Sequence, residues 1–390
     1  MRRNRNQIAD RSKSVSHSGI REMYNLSLGD TEAIHLEIGE ADFPTPRFII
    51  EAAKRAMDEG FTGYTPNSGY LDLRAAISEK LERENSMIAN PASEIIVTSG
   101  AMQALSLAIL VTVNPGEEVI IPDPGYESFS RQVKFAGGVP IPVPVREKNN
   151  FSFDSSELAQ AISGKSKMII INTPSNPTGG MMKKAELREI ADLAEQHDLL
   201  VLSDEIYEKI VYNGEEHVSI ASISGMEERT VTIFGFSKSH SMTGWRVGYA
   251  VGNSKIVEEM NKIQEFYVTC ASSISQRAAL AALQEGNKSV SEMVTQLQQR
   301  RDFLHEELCR HDMIHSTKPV GAFYLFPNIA KFGRPSTDAA KFLYENASVV
   351  TVPGVAFGEH GDKHLRLCFA KSKTDLQAAV ERIHTALDEL

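Results

Sequence analysis

The sequence has little cysteine and no arrangement of it that could staple a fold. Cys270, Cys309 and Cys368 are odd in number, far apart and without metal-ligand spacing. That pattern excludes a disulfide scaffold and a cysteine-held zinc site, and it points to a reducing compartment. Positive charge is also scarce: 41 Lys and Arg against 51 Asp and Glu leave a formal charge of −10. A general nucleic-acid binder is disfavoured by that balance. No run approaches the roughly 18 apolar residues needed to cross a bilayer. The start, Met1-Arg2-Arg3-Asn4-Arg5, is basic but no apolar stretch follows it, so it does not read as a secretory signal. The expectation is a cytoplasmic protein with neither membrane nor nucleic acid as a partner.

Several motifs are missing too. No Gly-x-Gly-x-x-Gly follows a strand, which removes the usual dinucleotide signature. Gly164-Lys165-Ser166 echoes a phosphate loop, but it lacks the upstream glycine and precedes a strand instead of following one. The 11 histidines are scattered and form no metal-binding cluster. Internal repeats and low-complexity segments are absent.

What is present is an ordinary globular composition, 42% hydrophobic and 24% charged, over 390 residues. That length suggests two domains. Short apolar runs alternate with helical patterns. Strands are predicted at Glu94–Thr98, Val119–Ile121, Val139–Val145, Lys167–Ile171, Leu199–Leu202, Val231–Phe234 and Arg246–Val251. Helices are predicted over 15–30, 47–60, 102–113, 183–197 and 288–311, with another starting near Leu71. Such alternation reads as an α/β fold with a mostly parallel sheet between helices. Short strands at 34–38, 321–326, 349–354 and 364–369 predict a second, smaller sheet.

The organising stretch is Gly235-Phe236-Ser237-Lys238-Ser239-His240-Ser241-Met242-Thr243-Gly244-Trp245-Arg246-Val247-Gly248. A buried strand delivers a lysine, and an arginine between glycines follows eight residues later. Burial beside another cation lowers a lysine's pKa and makes it a Schiff-base former. Arg246 presents a planar fork suited to phosphate. Together they suggest a phosphorylated aldehyde, of which pyridoxal phosphate is the common one. A lone Ser-Lys after a strand is by itself an ordinary surface lysine, so agreement with distant stretches matters.

Those stretches exist. Asn172-Thr173-Pro174-Ser175-Asn176-Pro177-Thr178-Gly179-Gly180 is a stiff loop at a strand's carboxyl end, where open α/β sheets place ligands. Asn176 can donate to a phenolate oxygen, and a cis Asn176–Pro177 bond is expected there. Ser203-Asp204-Glu205-Ile206-Tyr207 puts a carboxylate at the end of an apolar strand. Asp204 then either caps a following helix or pairs with a cation such as a pyridinium nitrogen. Ser99-Gly100-Ala101, before a helix opening near Met102, leaves amides that bind an anion. Gly39 permits close backbone approach or is simply a turn glycine. Arg366, among apolar residues in His364–Phe369, grips either a ligand carboxylate or a local acid.

This set resembles the class I/II pyridoxal-phosphate aminotransferases, the aspartate-aminotransferase-like group of fold type I, in six stretches between about residues 30 and 370. The resemblance implies a large cofactor-binding domain at 47–287, a small domain at 288–390, and an arm at 1–46 that joins the small domain. It implies that Lys238 carries pyridoxal 5'-phosphate, removes the substrate Cα proton and returns it to the cofactor, while Asp204 holds the ring nitrogen protonated. Gly100, Ala101, Met102, Ser237 and Arg246 would surround the phosphate, with Tyr64 reaching it from a neighbouring subunit of a homodimer. Tyr126 would stack on the ring, and Asn176 and Tyr207 would share its O3′ oxygen. Gly39, Asn176 and Arg366 would hold the substrate carboxylate. Aspartate-specific bacterial relatives carry a lysine at the position of Met102, and many members place a serine where this chain has Gly235. The activity implied is transfer of an α-amino group from an L-amino acid to a 2-oxo acid, of aspartate-type or broad or aromatic donor range. A β-lyase of the same fold is the alternative. A ligand-sensing module on this architecture would need a DNA-binding domain for which the chain shows no pattern.

Overall fold

A computed structural model describes residues 8–13, 15 and 17–390. The basic start at residues 1–5 lies outside them. In chain order the strands are β1 (Ile34–His35), β2 (Ile95–Thr98), β3 (Glu118–Asp123), β4 (Val139–Pro144), β5 (Ser166–Asn172) and β6 (Leu200–Asp204). They continue as β7 (Thr230–Gly235), β8 (Gly248–Val251), β9 (Tyr324–Leu325), β10 (Val349–Val350), β11 (Val352–Pro353) and β12 (Leu365–Cys368).

Seven of them form one sheet in the order β2-β8-β7-β6-β5-β3-β4. All neighbours within it are parallel except those of β8, which runs antiparallel to both β7 and β2. Both faces are covered, so its central strands read as apolar runs and not as alternating ones. Ile120, Ile169 and Ile171 pack on one face with helix Lys184–Gln196, while Ile121, Ile170 and Leu202 pack on the other with helix Ala101–Thr112. Each isoleucine buried this way stabilises the sheet by about 2 kcal/mol. β4 tolerates Pro140, Pro142 and Pro144 because it is an edge strand paired only with β3.

The reversed direction of β8 shapes one edge of this sheet. The carboxyl ends of β2, β3, β5, β6 and β7 lie along that edge, and the reversal brings the start of β8 to it as well. Thr98 and Gly235 are both opposite Gly248.

The single smaller sheet expected is instead two, and its strands are shorter than predicted. Val349–Gly354 reads as a single strand, yet it breaks at Thr351. β10 pairs parallel with β1, and β11 pairs antiparallel with β12, which also pairs with β9. The strand expected at 34–38 shortens to β1, and the helix expected over 15–30 to Gly19–Leu26. The long helix Asn287–Leu308 packs with Lys373–Asp388 and Ser336–Ala347 around Tyr324 and Leu367.

Candidate active site

A cleft of about 280 Å³ opens at the carboxyl edge of the large sheet, and each strand end along it contributes a side chain. Asp204 ends β6 and Lys238 lies three residues beyond β7; both face this cleft. Lys238 Nζ donates to the Gly39 carbonyl at 2.6 Å. Burial pulls its ammonium down to about 8; Arg366 and Arg246 push the same way, while Cys368 and Glu40 oppose. Burial lifts the Asp204 carboxyl to about 6 against the Ile206 amide and the Lys238 charge. Asp204 caps no helix, because a turn follows it; its Oδ1 accepts the Ile206 N–H at 3.2 Å. Asn172 Nδ2 and the Thr173 N–H hold the Asp204 carbonyl at 2.9 and 3.2 Å, tying β5 to β6 at the cleft floor.

At one end of the cleft the structure builds an anion cradle. Gly100, at φ +81°, precedes helix Ala101–Thr112, whose first turn has no side-chain cap. A Cβ on Gly100 would lie 2.6 Å from Arg246 Nη2, so only glycine lets the guanidinium come this close to the helix start. Arg246 is itself exposed, with Nη1 on the Thr243 carbonyl at 2.8 Å. Ser237 also lines the cleft, and none of the described residues engages its hydroxyl. The Thr243 hydroxyl is taken by Glu40.

At the other end lies Arg366, only 1% exposed. Nη1 donates to Asn176 Oδ1 at 3.1 Å and Nη2 to the Glu37 carbonyl, while Nε is buried without an acceptor. The guanidinium lies 4.6 Å from the Tyr324 ring centre and 5.0 Å from that of Phe357. Among the described residues no carboxylate comes within salt-bridge distance of it, so the local-acid alternative does not hold. A buried cation left this way costs several kcal/mol unless an anion completes it. Asn176 is buried beside it, its N–H on Asn172 Oδ1 at 2.8 Å, and the Asn176–Pro177 bond is cis as expected.

A buried lysine of lowered pKa, a carboxylate facing it, an anion cradle and an unpaired arginine therefore share one cleft. A family model described as "Aminotransferase class I and II" matches residues 31–383. The chain belongs to that family. It is 42% identical over 385 residues to an aspartate aminotransferase of Pyrococcus abyssi, covering 98% of both chains. It is 40% identical over 385 residues, again 98% of both, to aromatic-amino-acid aminotransferase 2 of Thermococcus litoralis. The solved structure of an aromatic aminotransferase from Pyrococcus horikoshii superposes with a TM-score of 0.90 at 41% identity, over 95% of this chain and 99% of that one. This aminotransferase is thus a pyridoxal-phosphate enzyme of fold type I that performs transamination, and nothing in these relatives favours the β-lyase alternative.

Of the residues singled out in the sequence, the aminotransferase cleft gathers Gly39, Ala101, Met102 and Tyr126 from its early strands and turns. It adds Asn176, Asp204, Tyr207, Ser237, Lys238, Arg246 and Arg366 from the later ones. Gly100 stands against Arg246 at the cradle. Tyr64 is not among them: it is 87% exposed, away from the cleft of its own chain. Sequence reasoning missed Tyr324. Its hydroxyl is 2.7 Å from that of Tyr207, and it would meet a Cβ on Gly39 at 2.2 Å, which explains the glycine. The only available signal was its place in a predicted strand. It also missed Ile20 and Leu105 on the wall beside Met102.

Proposed function

We propose that this aminotransferase takes L-amino acids with apolar or aromatic side chains as donors and a 2-oxo acid as acceptor. One observation carries the reading. The cations lining the cleft among the described residues are Lys238, Arg246 and Arg366, and the remaining wall includes Ile20, Met102, Leu105 and Tyr126. Lys238 and Arg246 serve the cofactor, and Arg366 serves the α-carboxylate, so no further cation is left among the described lining residues for a distal carboxylate. An apolar wall favours a donor side chain that loses water without needing a partner. Adding donors singly to the loaded enzyme and following the fall of the visible cofactor band tests this. Phenylalanine, tyrosine or leucine should react at least about tenfold more efficiently than aspartate. Met102→Lys should narrow or reverse that ratio, by about tenfold or more. Aspartate as the best donor of the wild type would overturn the reading.

The residues present fit the cofactor. Arg246, the open helix start at Gly100–Met102 and the Ser237 hydroxyl suit its phosphate. Asp204 suits its ring nitrogen, Asn176 and Tyr207 its O3′, and Tyr126 a ring face. Bound there, pyridoxal phosphate supplies an aldehyde and an electron-accepting ring. Asp204 holds a proton at the ring nitrogen, and its burial makes that ion pair stronger than it would be in water. Arg366 and Asn176 orient the substrate carboxylate. Lys238 Nζ, once free, takes the proton from the substrate Cα, a task suited to an amine whose pKa lies near 8.

We also read the active unit as a homodimer, with Tyr64 of each chain reaching the other's phosphate. Support comes from the exposed apolar side chains Phe266 (87%), Tyr267 (66%) and Tyr64 itself, more surface than a monomer needs to show. Sedimentation should give a dimer, and activity should fall in step with its dissociation on dilution. A fully active monomer would contradict this. The division at residues 46 and 287 remains our reading, supported by the core that the C-terminal helices build with Met23 and Leu36, into which Tyr207, Ile210 and Tyr212 also pack. A cytoplasmic location is supported by the three free cysteines.

A further inference from the structure

The reading of Asp204 as partner of the ring nitrogen leaves a puzzle directly behind it. Asp204, Glu205 and Glu208 crowd three carboxyl groups into five residues at the end of β6. Glu208 is matched: it pairs with Lys80 and accepts Asn85 Nδ2 at 2.7 Å. Lys80 is then fully used, with Asn85 Oδ1 at 2.7 Å and the Phe234 ring at 4.5 Å. Lys209 is held by Glu84. Among the described residues no lysine or arginine pairs with Glu205.

Glu205 is nevertheless wholly buried, with 0% exposure. Its Oε1 accepts both the Ser203 hydroxyl at 2.7 Å and the Ser219 hydroxyl at 2.9 Å. Oε2 is buried with no hydrogen-bond partner. His217 Nε2 lies 3.6 Å from Oε2, but that nitrogen is 3.1 Å from the Thr173 carbonyl, to which it must donate. Burial keeps this imidazole neutral by pushing its pKa down. The other titratable neighbours are the phenol of Tyr249, buried and held neutral, and the Lys80 ammonium, which acts on Glu205 from its pairing with Glu208. A carboxylate facing two hydroxyls, a neutral imidazole and the charge of Glu208 would be an unpaired buried anion, the costliest state open to it.

We propose that Glu205 is a positioning residue held as the neutral acid, so that Asp204 is the sole anion the turn presents to the ring site. Oε1 then serves as the carbonyl oxygen that takes both serine hydroxyls, and Oε2 carries the proton. Ionising it would place a like charge next to Asp204 and draw protons onto that carboxylate, weakening its hold on a ring cation. Burial, the largest influence, and the charge of Glu208 lift the Glu205 pKa from 4.5 to about 8, with both serines and the Lys80 charge opposing. A folded-state pKa above the unfolded one gives stability that is complete below 4.5 and drains away as pH rises to about 8.

Glu205→Gln tests this because the amide keeps the shape and neutrality of the acid and cannot ionise. Melting of the cofactor-free protein between about pH 6 and about pH 9 reads the proton alone. The wild-type midpoint should fall by on the order of 2–5 °C more than that of the variant. In the loaded enzyme, a pH titration of the visible band should show an inflection near 8 that the variant lacks. Equal melting slopes, or an inflection shared by both proteins, would overturn the proposal. Should the variant fail to fold, infrared difference spectra of the wild type settle it: a protonated-carboxyl band must disappear on crossing pH 8, and its absence refutes the idea. A wild type that shows no visible band with cofactor would instead defeat the cofactor assignment, and the apoprotein melts would still report on Glu205.

Discussion

Lys238→Ala is expected to abolish transamination, by at least about 10⁴-fold, while leaving the fold in place. The loss should be that large because the substitution removes both roles proposed for this residue, the covalent attachment of the aldehyde and the base for the Cα proton. The fold should survive because the amine contributes little to it. Its hydrogen bond within the protein is to the Gly39 carbonyl, and such a bond has a net worth of about 1 kcal/mol. Removing a buried ammonium also relieves a desolvation cost. The measurement is a single-turnover assay beside a melting curve. Turnover within tenfold of wild type would sink the assignment of Lys238, whatever the rest of the cleft suggests.

Arg366→Ala should come next in severity. It removes the group we propose to meet the substrate α-carboxylate, and it leaves the Glu37 carbonyl and Asn176 Oδ1 without their donor. Truncating one partner of a buried, hydrogen-bonded charge pair costs about 2–5 kcal/mol, which corresponds to a drop in kcat/KM of about 30- to 5,000-fold. Most of it should appear in KM for both amino acid and oxo acid, since both carry the carboxylate. Arg366→Lys should restore only part of the loss, because an ammonium cannot grip a carboxylate in a fork. Amines lacking the carboxylate should react equally poorly with both proteins. If kcat/KM for amino acids were unchanged in Arg366→Ala, the carboxylate would have to bind elsewhere.

Much of the candidate site was legible because its signals are local. Proline and glycine restrict backbone wherever they stand, so the loop at 172–180 was visible as a stiff turn after an apolar strand. A charged residue closing such a strand, as Asp204 does, calls for a partner in any fold. Elements of the small sheets were less legible. β1, β9, β10 and β11 are two residues each, too short for alternation to show, and the break at Thr351 depends on which partner each half finds. Tyr324 was invisible for the same reason: a tyrosine in a strand has no special meaning until another hydroxyl meets it.

The residue types and the strand ends that carry them were thus determined by the sequence alone, since periodicity, turn chemistry and buried charge are properties of short segments. Only the tertiary structure decided what those ends share. The antiparallel course of β8 returns Arg246 to the edge where Gly100 waits, 146 positions earlier in the chain. Among the described residues, packing of the small sheets leaves Arg366 without a carboxylate, and the pairing of Lys80 with Glu208 leaves Glu205 without a lysine or arginine partner. Which charges are matched and which are left for a ligand depends on neighbours distant in sequence. No local pattern encodes that.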